Sequence, residues 1–162
     1  MASSNGAADG QTAPQAQLNL QRIYIKDVSF EAPGAPQIFQ EQGQPNVELN
    51  LSQRANALGP DVYEVVLSIT ATCKVGDKTA YLAEVQQAGI FGVVGFDDAN
   101  RSAILGSYCP NALFPYARQV VSDLVQSGGF PPLFLQPINF DALYAEQMRR
   151  QAEGAGAQVA NA

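Results

Sequence analysis

The sequence contains no histidine and no tryptophan, and only two of its 162 residues are cysteine. Histidine is the usual general base at neutral pH and the commonest transition-metal ligand, so its absence excludes Ser–His and Cys–His catalysis. Cys73 and Cys109 stand far apart without a C-x-x-C motif, which argues against a zinc knuckle or a thioredoxin-like site. Both lie among apolar residues, so we expect buried thiols rather than a disulfide.

Positive charge is scarce, because nine Lys and Arg residues face fifteen Asp and Glu, which gives a net charge of −6. Nucleic-acid binding needs a basic surface, so this balance argues against a nucleic-acid partner and favours a basic protein partner or simply solubility. The longest apolar run, residues 90–96, is far shorter than the ~20 residues that span a bilayer. With no signal-peptide pattern at the N-terminus, the sequence predicts a cytoplasmic protein that does not insert into membranes.

Sequence motifs of known catalytic and metal sites are also missing. The sequence has no P-loop, no nucleophile elbow and no zinc-ligand spacing. Asp97 and Asp98 could form a carboxylate pair, but capping of a helix over residues 99–105 explains them better. We therefore predict no enzyme activity, no cofactor and no metal site.

The two ends of the chain differ from its middle. Residues 1–17 and 153–162 are rich in Ala, Gly, Gln and Asn and have almost no large apolar side chains. Such segments cannot bury enough apolar surface to offset the entropy of ordering, so we predict two disordered tails. Residues 18–152 then form a single domain.

Strand patterns come first in this domain and helices second. Four strands are predicted, at residues 18–31, 47–52, 62–75 and 79–87. Short turns join the last three strands. The connection over residues 32–46 contains three prolines and predicts a crossover. We therefore expect an α+β fold with a four-stranded antiparallel Greek-key-type sheet, backed by C-terminal helices.

The helical half contains the most distinctive string, CPNALFPYAR at residues 109–118. Pro110 suits the first turn of a helix, whereas Pro115 falls where that helix is already running and should kink it. An apolar stripe predicts this helix over residues 111–126, after a change of direction at the glycines of residues 89–95. A second helix should begin at the N-cap residue Asn139 and end near residue 151.

Several large apolar side chains fall in proline-rich loops, which are usually polar. They lie in the crossover and in the inter-helix linker FPPLFLQPI, residues 130–138. Stiff apolar loops can either seal the edge of a core or line a groove that binds extended peptide. The residues alone leave both alternatives open.

A second cluster is acidic. Asp27 and Glu31 share one face of the first strand, and Leu82 and Glu84 share one face of the fourth. If these strands lie in one sheet, three carboxylates around a leucine form a docking patch for a basic partner. The other interpretation is that these carboxylates belong to an ordinary solvated face of the sheet. Because both faces of the strands carry apolar residues, we also expect part of the sheet to meet another copy of the chain.

The strings from residue 21 to residue 151 resemble the SecB family of protein-export chaperones. The matching stretches, in order along the chain, are QRIYIKDVSFEAP, PNVELNL, DVYEVVL, EVQQAGIF, YCPNALFPYAR and INFDALY. The resemblance implies an ATP-independent chaperone that holds preproteins unfolded in the cytoplasm and delivers them to SecA, the motor of the Sec translocase. It also implies a homotetramer built as a dimer of dimers.

The resemblance assigns site residues as well. It implies a SecA-binding site at Asp27, Glu31, Leu82 and Glu84, whose ligand would be the basic, zinc-binding tail of SecA. It implies a preprotein groove at Ile38, Phe39, Phe130, Leu133, Phe134, Leu135, Phe140 and Tyr144. Contact between subunits is expected at Ala83, Val85 and Gln87. Many relatives carry a tryptophan in the crossover where this chain has Gly43, so one aromatic wall of the groove should be missing.

Two other functions remain possible on the residues alone. A small-molecule carrier would use the apolar linker to line a closed pocket and would ignore unfolded protein. An enzyme is disfavoured by the missing histidine and the missing motifs.

Overall fold

The computed structural model describes residues 15–160, so most of the predicted N-terminal tail lies outside the described residues. Four strands come first: β1 Gln17–Glu31, β2 Pro45–Gly59, β3 Val62–Val75 and β4 Lys78–Val94. The helices that follow are α1 Asp98–Ala103, a π-turn at Ile104–Tyr108, α2 Cys109–Ser127 and α3 Phe140–Ala160. A short 3₁₀ helix, Gln37–Gln40, lies in the crossover between β1 and β2.

The strands form one antiparallel sheet with the order β1-β4-β3-β2. β2, β3 and β4 are joined by hairpins, and the crossover places β1 beside β4 at the opposite edge from β2. This arrangement confirms the predicted α+β fold with a Greek-key-type sheet. β1 contains a register shift between Ile25 and Asp27, where the extra residue is Lys26.

The glycines after residue 88 do not end the sheet, contrary to the sequence prediction. Gly89 and Gly92 lie inside β4, because the neighbouring strand and α2 approach them too closely for a side chain. A Cβ at Gly89 would lie 2.8 Å from the Phe91 ring, and one at Gly92 would lie 2.1 Å from the Asn19 amide oxygen. The chain turns only at Gly95, where φ is +80°.

The core lies between one face of the sheet and α2. Alternate residues of β3 and β4 face the helix, as the two-residue period of a strand requires. The largest fully buried side chains include Phe91, Leu67, Ile69 and Leu113. Cys73 and Cys109 are free and buried, as predicted. We call the side of the sheet that faces α2 the inner face and the other side the outer face.

A π-turn joins α1 and α2 into one helical path, and Pro110 follows it in the first turn of α2. Proline has no N–H, so the Gly106 carbonyl four residues earlier has no α-helical donor. Instead, the Gln53 side chain of β2 donates to this carbonyl at 2.6 Å. The helix therefore stays paired through the π-turn and is fixed to the sheet at the same point. Gly129, with φ of +87°, follows the end of α2.

α3 begins as predicted but continues further. The Asn139 side chain accepts a hydrogen bond from the Ala142 N–H at 3.0 Å, which confirms the N-cap. The helix runs to Ala160 rather than to residue 151, so it continues into the segment for which the sequence predicted a disordered tail. Alanines have the highest helix propensity, and Arg149 pairs with both Glu146 and Glu153 across the predicted end.

Within residues 15–160, no helix is long and apolar enough to cross a membrane.

Candidate binding surfaces

An open cleft lies on the inner face at the end of the sheet, with a volume of about 460 Å³. The crossover forms one wall, the start of the inter-helix linker forms the other, and β2, β3 and β4 form the floor. The lining residues are Ile38, Phe39, Glu41, Gly43, Pro45, Val47, Cys73, Val75, Ala80, Tyr81, Gly129, Phe130, Pro131, Pro132 and Leu133. Glu41 is the only charged residue among them.

Phe130 is the centre of an aromatic cluster in this cleft. Its ring centroid lies 5.0 Å from that of Tyr81 and 5.1 Å from that of Phe39. Phe30 of β1 stacks on Tyr81 at 6.0 Å and so supports the cluster from below. Gly129 permits this packing, because a Cβ there would already lie 3.3 Å from the Phe39 ring. Phe39 itself is 51% exposed, so the cluster presents an aromatic surface to solvent.

The floor of the cleft is neutral. Burial raises the pKa of Tyr81 to about 12, and burial also raises the pKa of the Cys73 thiol. Both groups therefore keep their protons at neutral pH, and neither is a nucleophile there. Such a cleft can bury an apolar side chain, but it has no group poised for chemistry.

The eight residues predicted to form the groove do not all meet. Ile38, Phe39, Phe130 and Leu133 line the cleft. Leu135 and Phe140 are buried in the core, at 5% and 3% exposed, because the linker turns inward before α3. The other two residues also lie elsewhere. Phe134 is 71% exposed and outside the cleft, and Tyr144 lines a separate depression with Phe96, Ile104 and Tyr108.

The sequence did not indicate the part of the cleft that the sheet provides. Val47, Val75, Ala80 and Tyr81 line the floor. The apolar alternation of β2 placed Val47 on one face, but it did not say which face the crossover would cover. The hairpin register supplies this information, since Cys73 pairs with both Val47 and Tyr81.

The mouth of the cleft is closed on one side by the end of the crossover. Lys78 of β4 donates a hydrogen bond to Glu41 and forms an ion pair with it. Gly43 lies beside this pair, and a Cβ there would meet a Val75 methyl at 3.0 Å. Gly43 is exposed and has no side chain, so the aromatic ring that the resemblance to SecB implies at this position is absent from the rim of the cleft.

Among the described residues, no helix packs on the outer face of the sheet, and most side chains on this face are polar. The strand register arranges its side chains in rows across the sheet. Two of these rows are Glu31–Leu82–Thr72–Glu48 and Ser29–Glu84–Thr70–Asn50.

The predicted acidic patch is assembled on this outer face. Glu31 pairs with Leu82, Ser29 pairs with Glu84, and Asp27 pairs with Gln86 in the β1–β4 register. Asp27, Glu31 and Glu84 are exposed, and Leu82 is half-buried between them. The Ser29 hydroxyl donates to a Glu84 carboxylate oxygen at 3.3 Å. The geometry that the sequence analysis required for a docking patch is therefore present.

A charged cluster borders the acidic patch. The Lys26 ammonium lies 2.8 Å from one Glu64 oxygen and 3.0 Å from the other. The Tyr24 hydroxyl also donates to Glu64. These hydrogen bonds from Lys26 and Tyr24 lower the pKa of Glu64. Burial and the Glu64 carboxylate raise the pKa of Tyr24 to about 12.

The predicted subunit-contact residues are on the wrong face. Ala83 and Val85 are fully buried in the core beneath α2, at 0% and 1% exposed. Gln87 is 2% exposed and its amide donates to the Tyr24 carbonyl at 3.0 Å. None of the three can contact another subunit directly. The residues of β4 between them, Leu82, Glu84 and Gln86, face outward, so a subunit contact through β4 would have to use these residues instead.

The fold is that of the SecB-like chaperones. A SecB-like chaperone of Mycobacterium tuberculosis, solved in complex with a ChAD peptide from the HigA1 antitoxin, is similar with a TM-score of 0.64 and 20% sequence identity. The similarity covers 75% of this chain and 90% of that protein.

The sequence comparisons are more specific. Residues 11–151 match the family described as preprotein translocase subunit SecB. The Protein-export protein SecB of Stenotrophomonas maltophilia is 55% identical, covering 93% of this chain and 88% of that protein. The Protein-export protein SecB of Xylella fastidiosa is 53% identical, covering 98% and 94%. The chain belongs to the SecB family of protein-export chaperones.

Proposed function

We propose that this protein binds unfolded preproteins in the cytoplasm without ATP, keeps them competent for translocation and delivers them to SecA. The open aromatic cleft around Phe130 is the observation that carries this proposal. The chain belongs to a family of export chaperones, and an apolar cleft lined by stiff side chains suits the capture of apolar segments that are exposed only in an unfolded protein.

The size of the cleft sets the strength of a single contact. Burying one aromatic client side chain removes about 150–250 Å² from water, which contributes about 4–6 kcal/mol before the costs of association. Ordering of the client removes much of this, so one cleft binds weakly. A homotetramer would present four equal clefts to one long chain, and the resulting avidity explains tight capture without a sequence code.

Delivery requires a second surface that a captured client leaves free. The acidic patch lies on the outer face, whereas the cleft opens on the inner face beside the helices. Exposed carboxylates around Leu82 suit a basic partner with an apolar contact at its centre. We propose that this partner is the basic, zinc-binding tail of SecA, and that docking there brings the motor close to the client.

Light scattering behind size exclusion tests the capture step. The purified chain should elute as a particle near four times 17.2 kDa. It should gain mass with a slow-folding preprotein held unfolded, and not with the same preprotein after folding. A particle that ignores the unfolded client would contradict the chaperone proposal and favour a carrier of small apolar molecules.

The substitution Glu84→Lys tests the separation of the two surfaces. It reverses the charge of an exposed carboxylate beside Leu82, so SecA docking should weaken about tenfold. Preprotein capture should be unchanged. Glu153→Lys is the matched control, since it makes the same charge change on α3. Equal loss of docking and capture in Glu84→Lys would contradict the proposal of separate sites.

A further inference from the structure

The β-bulge in β1 places a cation at the edge of the acidic patch. Lys26 is the extra residue between Ile25 and Asp27, which lie opposite Gln87 and Gln86. A bulge turns two consecutive side chains toward the same face. Lys26 therefore points to the outer face, as Asp27 does, although a regular strand would send the two to opposite faces.

Glu64 holds this cation away from the patch. Glu64 lies on β3, two strands from Lys26, so the two side chains reach each other across β4. Both oxygens of Glu64 contact the Lys26 ammonium, at 2.8 and 3.0 Å. The Tyr24 hydroxyl donates to the same carboxylate. The Glu64 side chain is only 11% exposed, so this pair is better shielded from solvent than the other ion pairs among residues 15–160.

The carboxylates of the patch are left without a cation as a result. Within the described part of the chain, Asp27, Glu31 and Glu84 form no salt bridge. A free Lys26 ammonium could reach the neighbouring Asp27 carboxylate and neutralise part of the patch. We propose that Glu64 is a positioning residue for SecA docking: it binds Lys26 so that the patch keeps its full negative charge for the partner. This inference rests on the proposed docking function.

A cycle of substitutions at Glu64 and Lys26 tests the inference. Glu64→Gln keeps the shape of the side chain but releases Lys26, so the affinity for purified SecA should fall about threefold to tenfold. Lys26→Gln alone should leave the affinity within about twofold, because this ammonium is already paired. The double variant Lys26→Gln/Glu64→Gln should return to the wild-type affinity. It has the same net charge as the wild type, which removes overall charge as an explanation.

Two controls keep the test independent of folding and of the docking proposal. Tyr24→Phe removes one hydrogen bond to Glu64 but leaves the ion pair, so docking should be unchanged. Thermal unfolding of each variant shows whether Glu64→Gln has weakened the sheet itself. Unchanged docking in Glu64→Gln, or a double variant as weak as Glu64→Gln, would overturn the inference. If Glu84→Lys also leaves docking unchanged, the docking site itself is wrong.

Discussion

The cleft and the outer face lie on opposite sides of the same sheet and differ in the kind of side chain that they expose. The cleft is lined almost entirely by apolar side chains, with Glu41 as its one charged residue. In the part of the chain that the structure describes, no helix covers the outer face, and its charged groups are either left exposed, as in the acidic patch, or paired, as in Lys26 and Glu64. The cleft can bind a partner by removing apolar area from water, and this attraction has no preferred direction. The outer face can bind a partner by charge, and this attraction depends on the positions of the charges and on the salt concentration.

The largest effect should come from breaking the cleft. Phe130→Ala removes the ring that contacts Tyr81 and Phe39, so the aromatic surface collapses or opens. We expect capture of unfolded preprotein to fall at least tenfold and the free energy of unfolding to fall by about 2–3 kcal/mol, since Phe130 is half-buried. SecA docking should be unchanged. Binding assays and urea unfolding would measure these effects.

Phe134→Ala is the matched control, because the same ring is removed from an exposed position outside the cleft. Capture should then change less than twofold or threefold. A loss as large as that of Phe130→Ala would show that the client contacts the linker beyond the cleft, as the sequence analysis predicted.

The outer face was easier to predict than the cleft, and the reason is geometric. Strand alternation fixes which side chains of one strand share a face, so Asp27 could be grouped with Glu31 and Leu82 with Glu84 from sequence, whereas the pairing of β1 with β4 stayed a condition. The cleft depends on how a crossover and a linker pack over the sheet, and no local pattern describes this. Phe130 and Phe39 were found because large apolar residues in loops are unusual, whereas Tyr81 resembled any other strand residue.

The subunit-contact prediction failed for a related reason. Both faces of β4 carry apolar residues, so the sequence did not show which face α2 would cover. Ala83 and Val85 are small or branched residues that pack closely under this helix. Gly89 and Gly92 were misread in the same way, because the close approach of Leu113 and Asn19 is a tertiary contact. The helical extension of α3 was missed because Ala-rich composition was taken as a sign of disorder.

Salt should weaken binding at the acidic patch but not binding in the cleft, and this difference should be smaller than the effect of Phe130→Ala. Raising NaCl from 50 to 500 mM shortens the Debye length from above 10 Å to about 4 Å, so contacts to exposed carboxylates are screened. We expect SecA docking to weaken about tenfold and capture to stay constant or strengthen slightly. Binding titrations of SecA and of unfolded preprotein across this range would give the dependence of each affinity on salt concentration. An equal dependence for the two ligands would contradict the proposal that one surface binds by charge and the other by apolar burial.

Lowering the pH should weaken the ion pair between Lys26 and Glu64 on the outer face before it changes the cleft. The pKa of Glu64 is lowered below its ordinary value of 4.5 by Lys26 and Tyr24. A group with a lowered pKa stabilises the folded state above its ordinary pKa, and this contribution is lost as the pH falls through the lowered value. We expect Glu64→Gln to cost about 1–2 kcal/mol of unfolding free energy at pH 7 and to match the wild type in strong acid. A difference that does not depend on pH would contradict the ion pair as its cause.

The smallest effect should come from restoring the missing wall of the cleft. Gly43→Trp places an aromatic ring at the rim, and its Cβ meets only a Val75 methyl at 3.0 Å, which a small side-chain movement relieves. The ring would add apolar surface beside Phe39, so capture of unfolded preprotein should strengthen about twofold to fivefold while SecA docking stays constant. Gly43→Ser has the same Cβ without the ring and should leave capture as it is. If the tryptophan weakens capture instead, the gap beside Glu41 is the path by which the client enters, and the wild-type glycine keeps it open.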